Sequence, residues 1–167
     1  MKLSLLRHGI AADRGSSRYE HDSERPLTAK GERRMRQIAN GLQTLRLSYD
    51  LVLSSPYLRA KQTAEIVTQV LNTPDGVLLA EALTPEGNPR QLIEILRTEY
   101  QARQDVLLVG HEPYLSRLIS TLLTGGANLR VMMKRSGLCT LEVETLRFGR
   151  CATLVTLLTP RQLRRLA

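Results

Sequence analysis

Four short apolar runs recur along the chain, each followed by a segment of helical periodicity: "KLSLLR" (2–7), "DLVLSS" (50–55), "GVLLA" (76–80) and "DVLLVG" (105–110). β-α units in series build a largely parallel sheet with helices on both faces, so the expected fold is α/β with three layers. The helices are expected at about 29–46, 57–71 and 89–102, and from Pro113 to Leu123. Thr28 caps the first, whose positions Met35, Ile38, Ala39, Leu42 and Leu45 keep helical spacing. Beyond Gly125-Gly126 the pattern changes to alternation in "SGLCTLEVETL" and "RCATLVTLLT", joined near Phe148-Gly149, which predicts a C-terminal antiparallel hairpin. A short basic helix, "PRQLRRLA", closes the chain.

At 167 residues this is one well-cored domain spanning 1–167, without repeat, low-complexity tract or linker. No run is long enough to cross a bilayer, and "MKLSLL" reads as a strand, not a signal peptide, so the expected location is the cytoplasm. Cys139 and Cys151 are expected as small apolar side chains, and no Cys/His grouping has zinc-site spacing. The balance of 24 Lys+Arg over 16 Asp+Glu gives a net charge of +8. That charge raises a nucleic-acid-binding alternative. The arginines, however, are spread along the chain, and with no Trp and one Phe the stacking platforms of a single-strand binder are missing. An acidic or phosphorylated partner fits the charge instead. Neither a nucleic acid nor a membrane is an expected partner, and the sequence leaves the oligomeric state open.

In open parallel sheets ligands bind outside the carboxyl ends of the strands. Directly after the four runs come Arg7-His8-Gly9, Ser54 through Arg59, Glu81, and Gly110-His111, all delivered to one rim. An imidazole among guanidiniums suits phosphoryl transfer. Arginine's planar fork binds phosphate oxygens bidentately, and a neutral histidine can attack phosphorus and carry it covalently. Arg7, Arg59 and His111 are placed to stabilise the charge on the transferring group, and neither metal nor cofactor is needed for this scheme.

The segments "LLRHG" (5–9), "RPLTAKG" (25–31), "SSPYLRAKQTA" (54–64) and "LLVGHEP" (107–113) resemble the histidine phosphatase, or phosphoglycerate mutase-like, superfamily. The resemblance is closest to its short SixA-type phosphohistidine phosphatase branch and covers nearly the whole chain in order. It implies that His8 is the nucleophile that becomes phosphorylated, that Arg7 and Arg59 clamp the phosphate, and that His111 is the second catalytic histidine. It further implies that Arg25 approaches the pocket. The expected substrate is phosphohistidine in a protein, such as a histidine-containing phosphotransfer domain. The alternative within the same superfamily is a small phosphorylated molecule.

Two departures accompany the resemblance. Ile10 stands where many members carry a carboxylate, and only "AEALTPEGNP" occupies the place where larger members insert a lid bearing a glutamate acid. No lid subdomain is expected. Glu81 is then the best-placed candidate for a general acid, with Glu86 further along the loop.

Elsewhere the plain reading prevails. His21 sits in a mixed-charge loop and is expected in solvent, Glu112 reads as a first-turn helix residue, and Lys61 and Glu65 form an exposed i,i+4 pair. Met132-Met133 reads as packing. A metallohydrolase built on His8, His21 and His111 is a further alternative, though it lacks paired carboxylates at convincing spacing.

Overall fold

The computed structural model describes residues 1–15 and 17–167. Strands β1 (Lys2–Arg7), β2 (Leu51–Ser54), β3 (Leu78–Leu79) and β4 (Asp105–Gly110) run parallel in the order β3-β2-β4-β1. Strands β5 (Leu138–Val143) and β6 (Ala152–Leu158) extend the sheet antiparallel beyond β1, as the alternating C-terminal pattern predicts.

Strand alternation divides the core into two layers. Leu3, Leu5, Leu53, Val106 and Leu108 face helices α3 (Pro89–Thr98) and α4 (Tyr114–Thr124). Leu6, Val52, Leu107 and Val109 face α1 (Ala29–Thr44), α2 (Leu58–Leu71) and α5 (Pro160–Arg165). Leu5 and Leu6 are both fully buried. Each contributes about 1.5–3 kcal/mol relative to exposure, so the register of β1 is fixed from both faces.

Local chemistry sets the ends of the elements. The Thr28 hydroxyl accepts from the Gly31 amide and starts α1. The same turn lies so close to β1's exit that a Cβ on Gly31 would overlap the Ile10 carbonyl oxygen. That approach lets the Thr28 amide donate to Ile10 O at 2.9 Å, tying the start of α1 to the segment after His8. Pro113 occupies the position just before α4 instead of its first turn.

Two expected elements are shorter than the sequence suggests. The run 76–80 contributes only Leu78 and Leu79 to the sheet, both exposed, because β3 is an edge strand pairing with β2 alone and Gly76 before it adopts φ +66°. The helix expected to reach 102 ends at Thr98. Beyond it, Arg103 anchors the turn into β4 by donating to the Asp50 carbonyl at 2.6 Å and to Asp75 at 2.7 Å. Cys139 lies in the core and Cys151 is half-buried; both are free thiols. Among the described residues, no helix is long and apolar enough to cross a membrane.

Candidate active site

The carboxyl ends of β1 and β4 are adjacent, and the ladder continues one residue past β1, where the His8 amide donates to Gly110 O at 3.0 Å. His8 and His111 are thereby brought side by side, with ring centroids 5.1 Å apart. A cavity of about 500 Å³ opens here, lined by Arg7, His8, Arg25, Arg59, His111 and Glu112 among others.

The turn holding His8 is locked to the helix holding Arg59 through a single hydroxyl. Thr63 Oγ1 accepts the Gly9 amide at 3.0 Å and donates to the Arg59 carbonyl at 2.7 Å. The next contact fixes the chemistry of His8. Its Nδ1 lies 2.7 Å from the Gly9 carbonyl oxygen, which can only accept, so the neutral ring carries its proton on Nδ1 and its lone pair on Nε2. Burial, with further lowering by the Arg59 and Arg7 charges, depresses the His8 pKa to about 3 despite the Gly9 hydrogen bond. His111 is depressed to about 2, first by burial and then by its neighbours His8 and Arg59. Both imidazoles are therefore neutral at pH 7, and His8 has a free lone pair without first losing a proton.

His111 Nε2 lies 2.8 Å from Ser55 Oγ, and its other nitrogen, Nδ1, is buried without a protein partner. The Tyr57 ring stands edge-on against it at 5.1 Å. Arg7 Nη1 donates to the Met133 carbonyl at 2.8 Å, and Arg59, only 1% exposed, spends its two terminal nitrogens on Asp22 O at 2.6 Å and Asp22 Oδ2 at 2.7 Å. Among the described residues, the Nε atoms of both arginines are buried and find no hydrogen-bond partner. Buried donors rarely stay unmade, and these two belong to residues lining one cavity beside a neutral imidazole. An anion with several oxygens is the ligand such donors can satisfy.

Arg25 is buried, lines the cavity and is braced by Asp22 and the Ala12 carbonyl. Partial burial pushes the Asp22 carboxyl up, but hydrogen bonds from Arg59 and Arg25 outweigh it and hold its pKa below the usual range. Asp22 thus joins the two guanidiniums, with Arg14 at 3.5 Å as a third, exposed partner.

Glu81 is not brought to this place. It is exposed, lies outside the cavity lining and begins a short 3-10 turn. The strand order explains why: β3 is three strand positions from β1, about 14 Å across the sheet. Glu112 lines the cavity instead, its carboxylate held by the Ser116 amide at 3.1 Å and hydroxyl at 2.7 Å. His21 is exposed and outside the cavity lining, so the three histidines of a metal-site reading do not meet. Among the described residues, no group of three or more His, Cys, Asp or Glu side chains is disposed to hold a metal ion.

Arg135 and Asp22 join the site without standing at the end of a parallel strand. Arg135 lines the cavity because β5 runs antiparallel to β1, so the connection entering β5 lies at the end where β1 leaves. The i,i+3 spacing of Asp22 and Arg25 was a visible signal, but only the path of the loop brings Arg59 to the same carboxylate.

Comparison with known proteins agrees with this geometry. The sequence model of the histidine phosphatase superfamily (branch 1) matches residues 3–83. Over 126 residues the chain is 35% identical to the phosphohistidine phosphatase SixA of Escherichia coli strain K12, covering 75% of this chain and 76% of that one. A solved structure of the protein histidine phosphatase SixA complexed with tungstate superposes with a TM-score of 0.83 at 29% identity, covering 98% of this chain and 99% of that one. The α-ribazole phosphatase of Shigella flexneri shares the fold, with a TM-score of 0.71 at 23% identity and coverage of 96% and 97%.

Proposed function

This chain belongs to the histidine phosphatase superfamily, in its SixA-type branch, and is a phosphatase; we propose that it removes the phosphoryl group from phosphohistidine in proteins, through a covalent intermediate on His8. The observation that carries the reading is the Nδ1–H bond from His8 to the Gly9 carbonyl, which leaves the Nε2 lone pair available beside Arg7, Arg59 and His111. In this mechanism His8 Nε2 attacks phosphorus as the P–N bond of the substrate breaks, and the substrate imidazole departs. Water then attacks the phosphorus on His8, giving orthophosphate and the free imidazole.

Arg7 and Arg59 hold the transferring oxygens through their unpartnered Nε donors, and His111 donates from Nδ1 when the Ser55 hydroxyl donates to its Nε2. Arg25 steadies Asp22 and faces the same cavity. A phosphoimidazole asks little of an enzymic acid, because its leaving nitrogen can be protonated before it arrives. An alkyl phosphoester needs its alkoxide protonated in the transition state. The exposed position of Glu81 removes that carboxyl as the proton donor an alkyl leaving group would need, and the Glu112 carboxylate in the cavity is already engaged by the Ser116 amide and hydroxyl, which favours the phosphohistidine reading. So does the short segment 80–88, pinned to the core by Ala82 and Leu83, which leaves the rim free for a folded substrate.

Competition kinetics test the assignment. A phosphohistidine protein, free phosphohistidine and small phosphomonoesters are offered together, and the protein substrate should have the highest kcat/KM. A wide advantage for alkyl monoesters would replace the substrate assignment with the small-molecule one and leave the His8 chemistry standing.

A further inference from the structure

Beside the catalytic cavity lies a second cleft of about 370 Å³, and Arg7 and Arg135 line both. Its remaining cations come from three separate elements. Arg34, half-buried, projects from α1; Arg164, half-buried, from α5; and Lys134, exposed, precedes β5 together with Arg135. Among the described residues, no carboxylate lines the cleft, and Ile10 contributes an apolar wall. Among the described residues, none of Arg34, Lys134, Arg135 and Arg164 forms an ion pair, whereas Arg25 and Arg59 across the neighbouring cavity share Asp22. Like charges gathered in a concave, partly desolvated place repel one another and focus a positive potential, which an anionic ligand relieves.

The geometry points to this cleft as a docking site for the acidic side chains of the phosphoprotein substrate, seated while its phosphoryl group lies in the adjoining cavity. The inference rests on the phosphohistidine-protein reading and extends it to recognition. Four cations beyond the phosphate clamp are more than a small phosphomonoester, with its one phosphoryl group already bound, can neutralise. Several Asp or Glu side chains around a phosphohistidine can do so. Two of the cations, Lys134 and Arg135, are exposed on flexible side chains, which suits a protein surface more than an enclosed small ligand.

The test compares two variants of equal charge loss. The cleft variant is Arg34→Gln/Lys134→Gln/Arg164→Gln. The control, Lys2→Gln/Arg147→Gln/Arg150→Gln, removes three charges near the opposite end of the sheet, where Lys2 opens β1 and the other two lie between β5 and β6. In the cleft variant KM for an acidic phosphohistidine protein should rise about tenfold, with a flatter dependence of kcat/KM on ionic strength. Its hydrolysis of 4-nitrophenyl phosphate should stay within about twofold, which also reports correct folding. If that rate collapses, the single exposed change Lys134→Glu must raise KM in the same direction. Equal behaviour of cleft and control variants overturns the docking site. Anisotropy with a labelled hexaglutamate peptide separates this from failure of the phosphohistidine reading. Wild type inactive on every phosphohistidine protein overturns that reading and, with it, the phosphoprotein as occupant. Selective loss of peptide binding in the cleft variant then still locates an acidic-ligand site, and undiminished binding removes it.

Discussion

Replacing Arg59 with lysine keeps the charge but removes the fork, and the structure sets the cost. The side chain is 1% exposed, so solvent does not screen what is lost. Its Nη1 and Nη2 each donate one hydrogen bond to Asp22, and its buried, unpartnered Nε is a donor that the proposed mechanism assigns to the substrate phosphate. A lysine ammonium is one atom and cannot reach Asp22 and a phosphate oxygen from one place. At least one charge-assisted hydrogen bond is therefore lost in the transition state, about 1.5–3 kcal/mol, or roughly ten- to a hundredfold in kcat/KM. Stopped-flow kinetics on a phosphohistidine protein measure this directly, with thermal unfolding alongside to separate folding from catalysis. A variant that folds normally and turns over within twofold of wild type would refute the reasoning, because Arg59 would then be acting as a bare charge.

Ser55→Ala takes away the hydrogen-bond partner of His111 Nε2 and should lower kcat about two- to tenfold, the worth of one neutral hydrogen bond, as read from single-turnover rates. Glu81→Gln should leave kcat/KM within about twofold for both phosphohistidine and phosphomonoesters, whereas Glu112→Gln, inside the cavity, should change it; parallel kinetics on the two variants decide this. Stability should fall with acid. His8 and His111 bind protons more readily unfolded, near pH 6.5, than folded, near pH 3 and 2. Stability is thus fully present above about pH 6.5 and is lost towards pH 3, by up to about 1.4 kcal/mol per pH unit for each histidine. Urea titrations across that range should show the slope, reduced in His8→Asn.

What could be read in the sequence follows the physics of burial. β1, β2 and β4 lie inside the sheet with helices on both faces, so their apolar runs are unbroken and legible. Residues 76–80 look the same in sequence, but composition does not say that a strand will sit at the edge with one partner. The positions of His8, Arg7 and His111 follow from where parallel strands end, and Arg59 from the first turns of the next helix. Glu81 also follows a strand end but lies apart from the cavity, because strand order, which decides distance across the rim, is set by tertiary pairing. Asp22, at the start of a 3-10 turn over Asp22–Glu24, and Arg135, just before β5, come from connections with no periodicity to read, and their placement depends on the paths of the β1–α1 and α4–β5 connections.

The central claim is that His8 Nε2 carries the phosphoryl group. Rapid mixing of enzyme with a phosphohistidine protein, alkaline quenching and peptide mapping, with phosphorus NMR to assign the nitrogen, tests it. The account predicts a transient phosphoryl group on Nε2 of His8 that forms and decays at catalytically competent rates, and none in His8→Ala. A competent phosphoenzyme on His111 or on Nδ1 of His8, or full turnover by His8→Ala, would contradict it.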